Sequence, residues 1–474
     1  MSLYKILPSI FLCLILISCK KTISYAPLVG AVSAQQAFSS DAEATAAVTG
    51  IYYKMINSGV QTLTSASMTI LAGMSADELL PFQSTSVIYA PFQQNNLTTL
   101  TPYVSACLWS PAFSIIYQAN SILQGLQNYS GVSDSVRNEL IGETEFVRAF
   151  ANFYLVNLFG DIPLVTSINW QKTSILSRTS TSGVYDLIVS DLLDAQAKLL
   201  SDYSAGKGQR IVPNKWAATA LLARVYLYLG KWSDAEAQAS TVIENTGLYS
   251  FADSLNHVFL VNSSEAIWQL QQSNQNPLNY NATPEGYLFI PLKLNSNSYP
   301  PQFYLSHQLL DSFEQGDQRK KSWIDSTIFI GKKYYFPYKY KIGPGQTAPG
   351  GNYTEYYMVL RLAEQYLIRA EARVYENKLS DAITDINAIR GRAGLAGTSA
   401  SSSTDLLAAI AHERKIELFC EWGHRWLDLK RTGQAINILK PIKPYWSENS
   451  LLYPIPRNEI INDPNLTQNP GYTY

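Results

Sequence analysis

The chain has 474 residues and a net charge of −1 from 36 Lys and Arg against 37 Asp and Glu, a balance that argues against a nucleic-acid partner. Only 15% of residues are charged and 46% are hydrophobic, so the length supports a large core, as one helical domain with insertions or as two or three ordinary domains. The 31 Tyr, 9 Trp and 17 Phe exceed what a core needs; most fill helix seams, and Tyr in polar loops suits carbohydrate or peptide contact, with a flat apolar face and a hydrogen-bonding tip.

The N-terminus combines Lys5, an apolar run over 6–17 and the sequence Leu16-Ile17-Ser18-Cys19. It resembles a bacterial lipoprotein signal, which implies removal of residues 1–18 and lipidation of Cys19; two or more acyl chains give stable anchoring. Residues 19–35 then read as a polar tether, and residues 36–474 as the body. No later segment reaches the roughly 18 apolar residues of a membrane span. Cys13 leaves with the signal, so Cys107 and Cys420 remain. A bridge between them is possible, but both lie in apolar helical patterns, which favours buried free thiols.

Apolar periodicity predicts helices over 40–58, with Ala46, Ile51, Tyr52 and Met55 on one side, and over 109–127, with Trp109, Phe113, Ile116, Tyr117, Asn120 and Leu123. A third covers 142–165 and is ended by Gly160 and Pro163; a fourth covers 184–200. Residues 217–243 read as a helix–turn–helix of the tetratricopeptide type, with Ala223 and Ala235 allowing close approach and Gly230 permitting the turn. A similar pair occupies 359–395, with Ala370 and Ala382 in the corresponding places. The pairs are too far apart for a tandem solenoid, so a helical-repeat scaffold is interrupted by insertions near 59–103 and 250–358, rich in Ser, Asn, Pro, Gly and Tyr and read as ordered loops and short hairpins.

Residues 412–433, HERKIELFCEWGHRWLDLKRTG, concentrate His, Glu, Asp and Arg beside two Trp. At helical spacing Ile416, Phe419, Cys420, Gly423, Trp426 and Leu427 share a face, while Glu421 and Arg425, and His424 and Asp428, lie four apart. The segment reads as one structural amphipathic helix, since ion-pair networks imitate active sites.

Motifs for catalysis are missing. The four His residues have no metal-type spacing, and neither a nucleophile elbow nor a phosphate loop is present. Asp77-Glu78 could supply half of a glycosidase carboxylate pair, without an identifiable partner. The acids of 311–319 suit a helix end better than a calcium loop. No metal or cofactor is expected.

In order along the chain come the lipidation signal ending at Cys19, Arg148 with Gly160-Asp161-Ile162-Pro163, the 217–243 pair, and Phe313 with Asp317 and Arg319. Then follow Arg361, Glu364, Glu371, Asn387, Arg390-Gly391-Arg392-Ala393-Gly394, the 413–433 segment and the tail 451–472. Together they resemble the SusD/RagB family of Bacteroidetes outer-membrane nutrient-binding lipoproteins, over almost the whole chain. The resemblance implies a mostly α, tetratricopeptide-like scaffold with long loop-rich insertions and a few short strands. It also implies a lipid-anchored protein on the cell exterior, without enzyme activity, that captures a glycan, or in RagB-like members a peptide, for a partner SusC-like TonB-dependent transporter. Lys20-Lys21-Thr22 depart from the acidic residues that surface-exported members often carry there. Ligand contacts are expected from loops 75–92 and 280–340, with Tyr89, Phe92, Tyr287, Tyr299, Trp323 and Tyr338 as ring candidates and Asp77, Asn295 and Arg319 as polar ones. A surface hydrolase and a structural helical-repeat adaptor are the competing readings.

Overall fold

The structure, a computed structural model, describes residues 32–59, 61–274, 281–294, 297–346 and 350–473. Cys19 and Asn295 therefore lie outside the described residues. The principal helices are α1 (Asp41–Asn57), α2 (Ser67–Ser75), α3 (Ser110–Asn128), α4 (Asp134–Phe159), α5 (Thr181–Lys198), α6 (Lys215–Tyr228) and α7 (Trp232–Ile243). After the second insertion come α8 (Leu362–Tyr375), α9 (Leu379–Arg392), α10 (Ser403–Glu417) and α11 (His424–Arg431). Side-chain caps start several of them: Ser40, Asn214 and Ser402 accept backbone N–H groups of the first turns of α1, α6 and α10, which satisfies donors that a helix start leaves unpaired.

Helices α4 to α10 stack side by side, with α7 packing on α8 so that the two predicted helix pairs adjoin across the 250–358 insertion. Ala223, Ala235, Ala370 and Ala382 are completely buried and allow the close approach their size predicts. At the outer end of this seam Trp232 stacks on Tyr375 at 3.9 Å. Inside it, Arg224 clamps Glu364 with two 2.6 Å hydrogen bonds. Helix α4 starts at Asp134, eight residues before the predicted boundary; the added segment DSVRNEL is mostly polar, with Leu140 alone fully buried, and lacks strong apolar periodicity. It ends at Gly160, whose φ of 71° suits glycine. Lys430 and Arg178 donate to the terminal carbonyls of Asn157 and Phe159, placing cations at a helix C-terminus.

Three local expectations need correction. On α1 the buried stripe is Ala44, Val48, Ile51, Tyr52 and Met55, so Ala46 faces outward; Tyr117 of α3 is likewise 54% exposed. The 59–103 insertion contains α2, all nine residues of which are buried; a short helix enclosed on every side has no polar face to reveal it. Residues 412–433 are two helices, because Cys420, Trp422 and Gly423 adopt positive φ between α10 and α11. The break brings Gly423 so close to α2 that a Cβ there would meet the Met68 Cε at 2.6 Å, and Trp422 N–H donates to Thr69 Oγ1 at 2.8 Å.

That break also redirects the charges. Glu421 accepts from Arg361 and Lys339, not Arg425, while Arg425 donates to Asp77. Asp428 pairs with Arg414 and Arg431, and His424 faces Glu364 at 3.9 Å. Burial pushes the His424 imidazole down to about 4, so it is neutral at pH 7. The structural reading holds, but the partners are distant in sequence. Cys107 and Cys420 are both free and buried.

The strands are β1 (Leu79–Pro81), β2 (Ala266–Leu270), β3 (Phe303–Leu305), β4 (Ile324–Phe329), β5 (Lys332–Pro337) and β6 (Tyr357–Arg361), with a few shorter pieces. β2 and β6 pair antiparallel through the core, and every residue of both is buried. β1 pairs with β3, and β4 with β5 as a hairpin.

Candidate functional site

The β1–β3 pair joins the first insertion to the second, in the register Leu79↔Leu305, Leu80↔Tyr304 and Pro81↔Phe303. The side-chain period of two sends Phe303 and Leu305 into the core and leaves Tyr304 facing outward, half-buried. Phe82 extends the ladder by donating its N–H to Gln302 O at 2.9 Å. The β4–β5 hairpin lies against β3. Its rungs Thr327↔Tyr334 and Phe329↔Lys332 put Phe329, Tyr334 and Lys332 on one side of the hairpin.

Four half-buried rings meet there. Phe82 lies 5.7 Å from Phe329 and 5.4 Å from Tyr334, and Tyr304 lies 5.2 Å from Tyr334, all in edge-on arrangements. Such contacts fix ring orientation while leaving part of each ring accessible. The hairpin turns on Ile330-Gly331, with φ of 47° and 74°; two positive values are what a two-residue I′ turn demands. Ile330 is a β-branched residue in a region its side chain disfavours, and it is 87% exposed. Backbone strain of this kind collects at functional loops.

The sequence candidates are placed mostly beneath this face. Phe92, Arg319 and Trp323 are completely buried and are corrected to structural roles. Phe92 packs edge-on to Tyr453 at 5.7 Å, Trp323 Nε1 donates to Leu255 O at 2.9 Å, and Arg319 pairs with Asp317, Glu413 and Glu417. Asp317 also caps the short helix Gln318–Trp323, the helix-end role expected for 311–319. Asp77 is buried against Arg425 and Lys415. Burial opposes its ionisation, but those two cations outweigh it and hold the carboxyl down at about 2. In Glu78, burial and then the neighbouring Asp77 charge push the carboxyl up to about 8. The doublet is thus one fixed anion and one neutral acid, both shut off from solvent, and neither can serve glycoside hydrolysis.

Tyr89 supports the inner side of β3, with its ring 4.9 Å from Phe303 and its hydroxyl bonded to Gln61. Tyr287 is half-buried against the core. Tyr338 is half-buried under Lys341 Nζ at 4.1 Å. Tyr299 is 44% exposed and follows the short strand Asn297–Ser298, which runs beside β4. Of the predicted rings it alone combines exposure with proximity to the hairpin. Phe82, Tyr304, Phe329 and Tyr334 were not singled out. All four nevertheless fall within the loops 75–92 and 280–340 from which ligand contacts were expected.

A cleft of about 480 Å³ elsewhere, between α8, α10 and α11, is lined by Glu371, Arg431 and Asp428, and these charges are paired with one another. Among the described residues no group of three or more His, Cys, Asp or Glu could hold a metal ion, and no described helix is long and apolar enough to cross a membrane.

A helical-repeat scaffold that displays rings on inserted strands defines a binding protein, and comparison with known proteins agrees. Residues 331–472 match the model of the SusD family, and residues 36–227 match a model described as starch-binding associating with outer membrane. The chain is 25% identical to SusD-like protein P25 of Formosa agariphila over the full length of both. It is 27% identical to SusD-like protein P2 of the same organism, over 94% of this chain and 95% of that one. Among solved structures, a laminarin-binding SusD-like protein superposes with a TM-score of 0.76 at 25% identity, covering 92% of this chain and all of that one. Surface glycan-binding protein A of Bacteroides fluxus shares the fold, with a TM-score of 0.75 at 23% identity over 92% of this chain and all of that one. The two SusD-type models, which between them span most of the chain, and SusD-like relatives aligned over nearly all of it support a SusD/RagB family protein, non-catalytic and associated with the outer membrane.

Proposed function

We propose that the protein captures oligosaccharide or polysaccharide at the cell surface and delivers it to a SusC-like TonB-dependent transporter. In this reading Cys19 carries the lipid anchor after residues 1–18 are removed, and the body faces the cell exterior. The observation that supports it best is the ring cluster of Phe82, Tyr304, Phe329 and Tyr334, built from both insertions and held on a rigid helical stack. Flat apolar rings offer a stacking surface for the C–H faces of a sugar, and each contributes on the order of 1 kcal/mol beyond area. Several rings with polar edges are therefore needed for micromolar binding. Tyr299 is retained as a further contact on the strength of its exposure.

The test is affinity electrophoresis of residues 20–474 against plant and host glycans, laminarin included, with Tyr334→Ala and Phe82→Ala beside the wild type. The expected outcome is retention by at least one glycan, weakened about tenfold by either substitution, as a loss near 1.4 kcal/mol requires. Retention by a peptide library and by no glycan would favour the RagB-like reading. Product formation from any glycan would overturn the binding role.

A further inference from the structure

We infer that the saccharide held on this face is anionic, bearing uronate carboxylates or sulfates, because a lysine that no carboxylate neutralises stands beside the ring cluster and a second sits next to it at the hairpin tip. This deepens the proposed glycan role and rests on it. Lys332 stands on the same side of the hairpin as Phe329 and Tyr334, with its Nζ 5.0 Å from the Tyr334 ring centroid. Lys333 points to the reverse side, where its Nζ lies 5.0 Å from the ring of Tyr335. Both lysines are exposed and sit next to the turn at the hairpin tip. Among the described residues neither has an ion-pair or hydrogen-bond partner, and each has only its ring contact.

The acids of the surrounding insertion do not reach them. Glu314 is paired with Arg390, and Asp325 occupies the rung opposite Phe336, at the far end of the hairpin from Lys332. Some lysines in the molecule are tied to acids, such as Lys339 to Glu421, Lys415 to Asp77 and Lys378 to Glu236, whereas Lys332 and Lys333 are not. A chain with a net charge of −1 thus carries solvated positive charge beside the ring cluster. An ammonium held against a ring face keeps part of its surface free for a second partner. A sugar stacked on Tyr334 would bring a carboxylate or sulfate within reach of Lys332, and a polymer crossing the tip could engage Lys333 as well. Since both cations are solvated, the attraction is modest per charge and weakens with salt. It selects among glycans that the rings can already hold.

The experiment compares matched polymers by isothermal titration: polygalacturonate against its methyl ester, and dextran sulfate against dextran. Each is measured at low and at physiological ionic strength with the wild type, Lys332→Met/Lys333→Met and Tyr334→Ala. The acidic member of at least one pair should bind about tenfold or more tightly than its neutral partner, with the preference shrinking as salt rises. The double lysine variant, which keeps the apolar stems, should lose most of that preference. Tyr334→Ala should weaken both members of the pair. Equal binding of acidic and neutral members, or an unchanged preference in the lysine variant, would overturn the charge inference while leaving glycan capture standing. Acidic binding that survives Tyr334→Ala in full would also overturn it, as adsorption unrelated to the ring face. Failure of the wild type to bind any polymer in this set or in the wider panel would instead remove the glycan role beneath it.

Discussion

Three guanidinium groups converge on Glu417, which makes Glu417→Gln the most informative perturbation of the scaffold. Arg361 Nη1 lies 2.6 Å from Oε1, Arg319 Nη1 lies 3.2 Å from Oε2, and Arg392 also donates to Oε1. The carboxylate is completely buried. The surrounding buried cluster sets Arg319, Arg361, Arg390, Arg392 and Lys339 against Asp317, Glu265, Glu413, Glu417 and Glu421, with the more exposed Glu314 reaching Arg390 from its edge. Gln preserves volume but leaves one buried positive charge without compensation, which costs about 3–5 kcal/mol. For a body of roughly 440 residues the unfolding entropy is about 0.9 kcal/mol per kelvin, so the midpoint should fall by about 3–5 °C. Scanning calorimetry at pH 7 measures this, with Glu376→Gln as control. Its partner Lys378 is 46% exposed, so the control should shift by less than about 1 °C. An indistinguishable shift in the two variants would refute the reasoning. The pH dependence has a defined sign. Burial disfavours the Glu417 charge, but Arg392, Arg361 and Arg319 overcome this and hold its carboxyl well below the usual range. Its stabilisation is present above the unfolded pKa of about 4.3 and is lost as pH falls through the lower folded value. Wild type and Glu417→Gln should therefore converge in acid.

Glu285 carries the opposite sign. Burial pushes its carboxyl up to about 8, where Thr69 Oγ1 and the Tyr357 hydroxyl donate to it. Its contribution is full below its ordinary pKa and declines as pH rises through about 8. Glu285→Gln should match the wild type near pH 5 in chemical denaturation and exceed it near pH 9; parallel curves at both pH values would contradict this. Cys107, pushed up to about 11 by burial, and Cys420, pushed well above the usual thiol range by burial and the nearby Glu78 charge, should ignore a thiol reagent in the native chain from residue 20 and give two equivalents once unfolded. Ile330→Asn should relieve the positive-φ strain by about 1 kcal/mol, read as slower hydrogen exchange of the hairpin amides; faster exchange would count against the strain. Cys19→Ala should move the protein from the membrane fraction to the soluble one, and retention in the membrane would contradict lipid anchoring.

The helix pairs were legible because Ala223, Ala235, Ala370 and Ala382 recur at fixed places within periodic apolar stretches, a local signal. The break at 418–423 was hidden. Cys420 and Trp422 adopt positive φ without being Gly or Asn, and what holds them is contact with α2, about 350 residues earlier in the chain. Separation in sequence also concealed Asp77–Arg425, 348 residues apart, and Arg361–Glu421, 60 apart, so local i,i+4 arithmetic paired the wrong charges. At the ring face, composition pointed to the two insertions that build it but could not tell inward from outward. The β1–β3 register decides that Tyr304 faces out while Phe303 is buried, and Trp323 and Phe92 lie on short helices, too brief for a periodicity that would mark their buried faces.

The most direct measurement is a crystal structure of the protein with the tightest-binding glycan from the panel. The account predicts a sugar ring stacked within about 4 Å of the Tyr334 or Phe82 ring, with acidic groups toward Lys332. A glycan seated elsewhere, away from both rings, would contradict it.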